Sequence, residues 1–202
     1  MPAVGSEEVV TASGFEQNLS ELASSDAEAA ENLSRFRDLS PQQQELLERA
    51  LVDGTALENL GKVLESSEPN LTSEESVEAV QGHKGKDDGA ARTTASVDWE
   101  GCYVVEQRIY GVLITRLRQD FTWQVTSGRV SATKRCTASA VNYNFVIHLS
   151  SDTNHWVLGK RGICETIWHG SAFVKDFTIS LDKRQHMEVS ASGIYNTWLD
   201  NV

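Results

Sequence analysis

From Val141 to Leu149 apolar and polar positions alternate. Val141, Tyr143, Phe145, Ile147 and Leu149 share one side, Asn142, Asn144 and His148 the other, and only Val146 is out of step. A period of two predicts a half-buried β-strand. Ser151-Asp152-Thr153-Asn154 reads as a turn. Trp156–Lys160, Ile163–His169 and Phe173–Leu181 read as further short strands, punctuated by Gly159, Gly162 and Gly170. Upstream, Tyr103 to Tyr110 opens the β region near Trp99. Leu113 to Val125 is the longest alternating run, with Leu113, Thr115, Leu117, Phe121, Trp123 and Val125 on one side. Ser127-Gly128 is a tight turn, and the more polar Arg129–Thr137 returns as an edge strand. Asp182-Lys183-Arg184-Gln185 reads as another turn. Met187, Val189 and Ala191 form a strand, and Ile194, Tyr195 and Trp198 close the chain. Many short strands with no helical interruption predict an antiparallel sandwich or barrel over residues 98–202.

The front of the chain has a different period. Phe15, Leu19, Leu22, Ala29, Leu33 and Phe36 fall on one helical face, as do Leu46, Leu47, Ala50 and Leu51. Four pairs have the spacing of a capping box: Ser13…Glu16, Ser40…Gln43, Thr55…Glu58 and Thr72…Glu75. Pro41 strengthens the second. Gly54 breaks the pattern, Leu57, Leu60, Val63 and Leu64 continue it, and Glu74–Val80 reads as a weaker helix. The expected architecture is α+β by segregation: an N-terminal helical hairpin, then the all-β domain. Its parts are a lead-in at 1–13, an acidic helical region at 14–80, a Gly-rich linker at 81–97 and the β domain at 98–202.

Charge and aromatics divide at the same place. Residues 1–96 hold 19 Asp+Glu against 7 Lys+Arg, and all five Trp and all four Tyr lie beyond them. With a net charge of −11 there is no dense cationic face for nucleic acid. No window is apolar enough for a transmembrane segment. Met1–Ser13 has neither the basic start nor the apolar run of a signal peptide, so the chain is either cytoplasmic or the product of leader removal. Three cysteines, Cys102, Cys136 and Cys164, leave two readings. All are buried small hydrophobes, or Cys136–Cys164 form a disulfide and Cys102 stays a thiol.

Candidate chemistry is sparse. His148, His155, His169 and His186 could meet Asp152, Glu165 or Asp176 at a metal or general-base site, but no ligand spacing supports one. A Cys–His nucleophile would need Cys136 or Cys164 beside a histidine, without a flanking motif. No cofactor fingerprint is present, and neither a cofactor nor a metal is expected. The tryptophans are the better lead. Trp123 shares a face with Phe121 and Val125 and belongs to the core. Trp99, Trp156, Trp168 and Trp198 are the candidate ligand-binding residues, because an exposed indole stacks on sugar rings or anchors a protein partner. If Ile163 and Ile167 point inward, Trp168 points outward.

The Leu39-Ser-Pro-Gln-Gln-Gln44 turn, the Gly/Thr/Ser linker and the stretch Phe121-Thr-Trp-Gln-Val-Thr-Ser-Gly-Arg-Val130 carry a resemblance. In this order of parts the chain resembles small secreted actinobacterial proteins with an acidic helical N-terminal region and a Trp-rich β-domain. That likeness implies export and a disulfide. The expected function is a secreted, non-catalytic module that binds a glycan or protein partner through its β domain. A secreted hydrolase built from the β-domain His and Asp/Glu residues, or a toxin acting on membranes, are the competing classes.

Overall fold

The computed structural model describes residues 13–53, 56, 71–84, 96–174 and 177–202. The side chains of 13, 71–73, 75, 78–84, 173–174 and 177–179 are excepted. Among the described residues three helices come first: α1 (Ser13–Leu22), α2 (Ala27–Arg37) and α3 (Pro41–Val52). Eight strands follow: β1 (Leu71–Lys84), β2 (Ser96–Ile109), β3 (Val112–Thr126), β4 (Arg129–Asn142), β5 (Ile147–Leu158), β6 (Arg161–Val174), β7 (Phe177–Ser190) and β8 (Gly193–Asn201). They form two antiparallel four-stranded sheets, β1-β2-β3-β4 and β5-β6-β7-β8.

The helix expected over Phe15–Phe36 is two helices, because Asp26 accepts from the backbone N–H groups of Glu28 and Ala29 and so starts α2 afresh. The Ser40/Gln43 capping box forms, with Pro41 in the first turn of α3. The Thr55…Glu58 signature and Gly54 lie outside the described residues. Thr72…Glu75 does not start a helix. Residues 71–84 are β1, antiparallel to β2 from Leu71↔Ile109 onward, so ladder hydrogen bonds outweigh the local helix propensity of Glu and Ala. The expected linker therefore begins inside a strand, and residues 85–95 lie outside the described residues.

The strands are long. Val141–Leu149 is not one strand. Asn142 Oδ1 accepts from the Asn144 N–H and Asn144 Oδ1 from the Val146 N–H, and these side-chain turns end β4 and start β5 only at Ile147. The turns expected at Ser151–Asn154 and Asp182–Gln185 are instead the interiors of β5 and β7, and Gly170 lies within β6. In β7 the charged run alternates: Lys183 and Gln185 are buried, while Asp182 faces the His169 ring. The turn at Ser127-Gly128 is as expected. Both residues have positive φ (53° and 72°), which suits a two-residue hairpin.

Two packed clusters hold this together. Phe15, Leu19, Leu33, Phe36, Leu47 and Leu51 pack with Ile109, Val112, Leu113, Ile114 and Tyr143, so the helices cap the end of the sheets where β2–β3 and β4–β5 turn. Asn32 clasps the Leu113 backbone, donating to its carbonyl at 2.7 Å and accepting from its N–H at 2.8 Å. Arg116 joins Glu28 of α2 to Glu106 of β2. Burial alone would raise the Glu106 carboxyl, but hydrogen bonds and charge from Arg108 and Arg116 carry it below the usual range.

Between the sheets, Tyr103, Val105, Leu117, Phe121, Trp123, Cys164, Trp168, Met187 and Val189 form the second cluster. A polar seam crosses it. Gln119 Nε2 donates to Thr166 Oγ1 (2.9 Å) and the Gln185 carbonyl (3.2 Å), and Gln185 Nε2 donates to the Tyr103 carbonyl (3.0 Å). The disulfide Cys136–Cys164 forms, tying β4 to β6, and Cys102 lies buried outside it. Closing a loop of that 28-residue separation stabilises the fold by roughly 3.5 kcal/mol in the chain-entropy view. Beside it the sheets approach closely. A Cβ on Gly162 would sit 2.9 Å from Val189 Cγ2 and 3.2 Å from Thr133 Cγ2.

Candidate functional site

Strand register sorts the candidate tryptophans. In β6, Cys164, Thr166, Trp168 and Ala172 are buried at alternate positions, so Trp168 faces the other sheet. It is 3% exposed, and its Nε1 donates to Gln185 Oε1 at 2.8 Å. The expectation that Trp168 points outward is therefore corrected: Ile163, taken as an inward marker, lies on the outer face. Ile163 is buried there yet belongs to neither core cluster. Trp99 is half-buried and stacks on Trp123 with ring centroids 6.0 Å apart.

Trp156 and Trp198 do share a surface. Trp156 pairs with Ile163, Ile163 with Glu188 and Glu188 with Asn196, while the neighbouring row contains His186 and Trp198. This is the outer face of the second sheet. Trp156 is 36% exposed, and Trp198 stacks flat on His186 at 4.5 Å. Between Val189↔Ile194 and Glu188↔Asn196 the β7–β8 register shifts, leaving Tyr195 as an extra, bulged residue. Bulges re-aim side chains. Tyr195 is 58% exposed, and the Arg161 guanidinium lies 3.6 Å from its ring centroid. Arg161 is also held by Glu188 at 2.6 Å. Tyr195 was hidden from sequence reasoning because an unpaired position leaves no periodic mark.

Across the strands, Trp156 on β5 and Tyr195 on β8 are separated by three interstrand steps, roughly 14 Å. Between them lie Ile163, Arg161 and Glu188. The exposed apolar side chains Trp156, Val157, Leu158 and Tyr195 thus gather at one end of this sheet, with charged and amide groups among them. Beside Tyr195 a groove of about 530 Å³ opens between β8 and the first sheet, lined by Val77, Trp99 and Ser192–Thr197.

The histidines are dispersed. His155 contacts Thr133 Oγ1 at 3.0 Å, and His186 Nδ1 lies 3.6 Å from Glu165 Oε2. His169 sits between Asp182 (3.0 Å) and Asp152 (3.3 Å). Its hydrogen bond to Asp182 raises its pKa; slight desolvation opposes this, and the two carboxylate charges reinforce it. Among the described residues no three His, Cys, Asp or Glu side chains are grouped to hold a metal ion. Asp176 lies outside the described residues. The disulfide removes Cys136 and Cys164 as thiol nucleophiles. Among the described residues no helix is long and apolar enough to cross a membrane.

Comparison with protein-family models, curated proteins and solved structures finds no match to this chain.

Proposed function

We propose that this protein is a non-catalytic binding module that recognises a glycan through the outer face of its second sheet, in an extracellular setting. One observation carries the reading: Trp156 and Tyr195 stand exposed at opposite edges of one end of that face, with Ile163, Arg161 and Glu188 between them and Asn196 beside Tyr195. Aromatic faces accept the C–H faces of sugar rings, and the flanking charged and amide groups satisfy the hydroxyls. The span of roughly 14 Å across three strand spacings suits an oligosaccharide rather than a single sugar. Trp198, stacked on His186 in the adjacent row, extends the platform. The disulfide supports export, since such bonds persist in oxidising compartments, as the resemblance to secreted actinobacterial proteins also implies.

The test is binding of the full chain to soluble oligosaccharides and insoluble cell-wall polymers, followed by Trp fluorescence. We expect a saturable change, with affinity reduced about tenfold or more by Trp156→Ala and by Tyr195→Ala. Folded protein that binds none of the panel, or binding that survives both substitutions, would overturn the reading.

A further inference from the structure

The two ends of the sheets differ in charge. The helices cap the end where β2–β3 and β4–β5 turn, and the β3–β4, β5–β6 and β7–β8 hairpins reverse at the opposite end. There the Val130 N–H donates to the Lys160 carbonyl at 3.2 Å, which joins the β3–β4 and β5–β6 tips into one surface. Residues 13–53, which contain the helices, hold nine Asp or Glu against three Arg. The hairpin tips at 126–129, 158–161 and 190–193 hold Arg129, Lys160 and Arg161 and no carboxylate. Behind them, Glu188 is held by Arg161 and Asp98 by Lys134. The segment 85–95, between β1 and β2 in the chain, carries two acids and two bases and adds no net charge.

The cationic end is also where apolar surface is left uncovered. Leu158, the last residue of β5, is 63% exposed, and Tyr195, Val157 and Trp156 are exposed behind it. Arg129 and Lys160, both exposed, stand beside Leu158 on the two joined tips. Leu158 and Trp156 point to the same side of β5, two residues or roughly 7 Å apart along the strand. Tyr195 bulges from β8 at the level of Trp156. A leading leucine, flanking cations and amphipathic rings roughly 7 Å behind match the depth of interfacial contacts, which bury apolar groups roughly 5–10 Å into the boundary between headgroups and acyl chains. Nucleic acid would need a denser row of cations. A two-fold dimer through this tip would crowd two copies of Arg129 and Lys160 together.

We infer that the end of the molecule opposite the helices docks on an anionic lipid surface. Leu158 enters the boundary between headgroups and acyl chains, Trp156 and Tyr195 lie at headgroup depth, and Arg129 and Lys160 meet lipid phosphates. The acidic helices then face away from the membrane. Two cations and a few apolar side chains make a reversible, salt-sensitive contact. The inference does not rest on the glycan reading, although Trp156 and Tyr195 border both surfaces.

The probe is vesicles of phosphatidylglycerol and phosphatidylcholine in equal parts, which carry no sugar ring and so test this surface whether or not any glycan binds. With the full chain we expect saturable co-sedimentation, about tenfold weaker or worse with phosphatidylcholine alone or at high salt. Lipids brominated near the headgroup end of their acyl chains should quench Trp fluorescence, and Trp156→Ala should remove most of that quenching. Leu158→Asp and Arg129→Glu/Lys160→Glu should each weaken vesicle binding about tenfold or more. No saturable binding of folded protein to the anionic vesicles, equal affinity for phosphatidylcholine, or binding that survives Leu158→Asp or the charge reversal would overturn the proposal.

Discussion

Glu48 is a carboxyl in the wrong place for its charge. It is 8% exposed in the helical cap, its Oε1 has no hydrogen-bond partner, and the Glu16 carboxylate is nearby. Burial first, and the Glu16 charge second, raise its pKa from 4.5 to about 7. A carboxyl that holds its proton more tightly in the fold than in the unfolded chain makes stability fall as pH rises. The loss begins near pH 4.5 and is complete above about pH 7. The interval from 4.5 to about 7 corresponds to at most about 3.4 kcal/mol, and solvent screening of the carboxyl lowers the penalty to roughly 2–3 kcal/mol. Glu48→Gln imitates the protonated form and should remove it. Urea unfolding, followed by far-UV circular dichroism for the helices and Trp fluorescence for the sheets, measures the difference between variant and parent. We expect that difference to be near zero at about pH 4 and to grow to roughly 2–3 kcal/mol in favour of the variant by about pH 8.5. Because helices and sheet ends share one core, both signals should move together. A difference that does not change with pH would refute the assignment.

Two further outcomes follow from close contacts. Gly162→Ala should destabilise by roughly 1–3 kcal/mol, because its methyl would enter space held by Val189 and Thr133; an unchanged urea midpoint would contradict that packing. His169, with its pKa raised by Asp182, contributes stability that is present below pH 6.5 and lost as pH rises through its raised folded value. Its imidazole resonances should titrate higher in the parent than in Asp182→Asn, and equal midpoints would remove the pairing.

Much of the scaffold was legible where one residue type does one job. The alternation over Leu113–Val125, the Ser127-Gly128 turn and the Ser40/Gln43 box with Pro41 each name a local geometry that the fold keeps. Reading failed where tertiary pairing reassigns polar residues. Ser151–Asn154 looks like a turn by composition, but β5 is an edge strand whose polar residues face water while its backbone pairs with β6. Glu74–Val80 has helical residues but a partner in β2. Residue type alone singles out Trp156 and Trp198, and strand register places both on the outer face of the second sheet. Trp168 was misplaced because a covered outer-face isoleucine mimics an inward one, and Tyr195 was missed because its bulge exists only against a neighbouring strand.

The amide seam between the sheets bears on which misfolded states this chain avoids. An alternating pattern punishes a one-residue slip, which turns a strand inside out, but it is blind to a slip of two, which keeps every apolar side chain on its proper face. Long paired strands with repetitive Val, Thr and Ser offer many such near-copies of the native sheet. Gln119, Thr166, Trp168 and Gln185 break that degeneracy. Displaced by two positions, their donors and acceptors would be stranded in an apolar interior at a cost of roughly 1–3 kcal/mol each. The polar groups act as a vernier: the native alignment makes these four hydrogen bonds, leaving Gln119 Oε1 over, and a slip of two would break them.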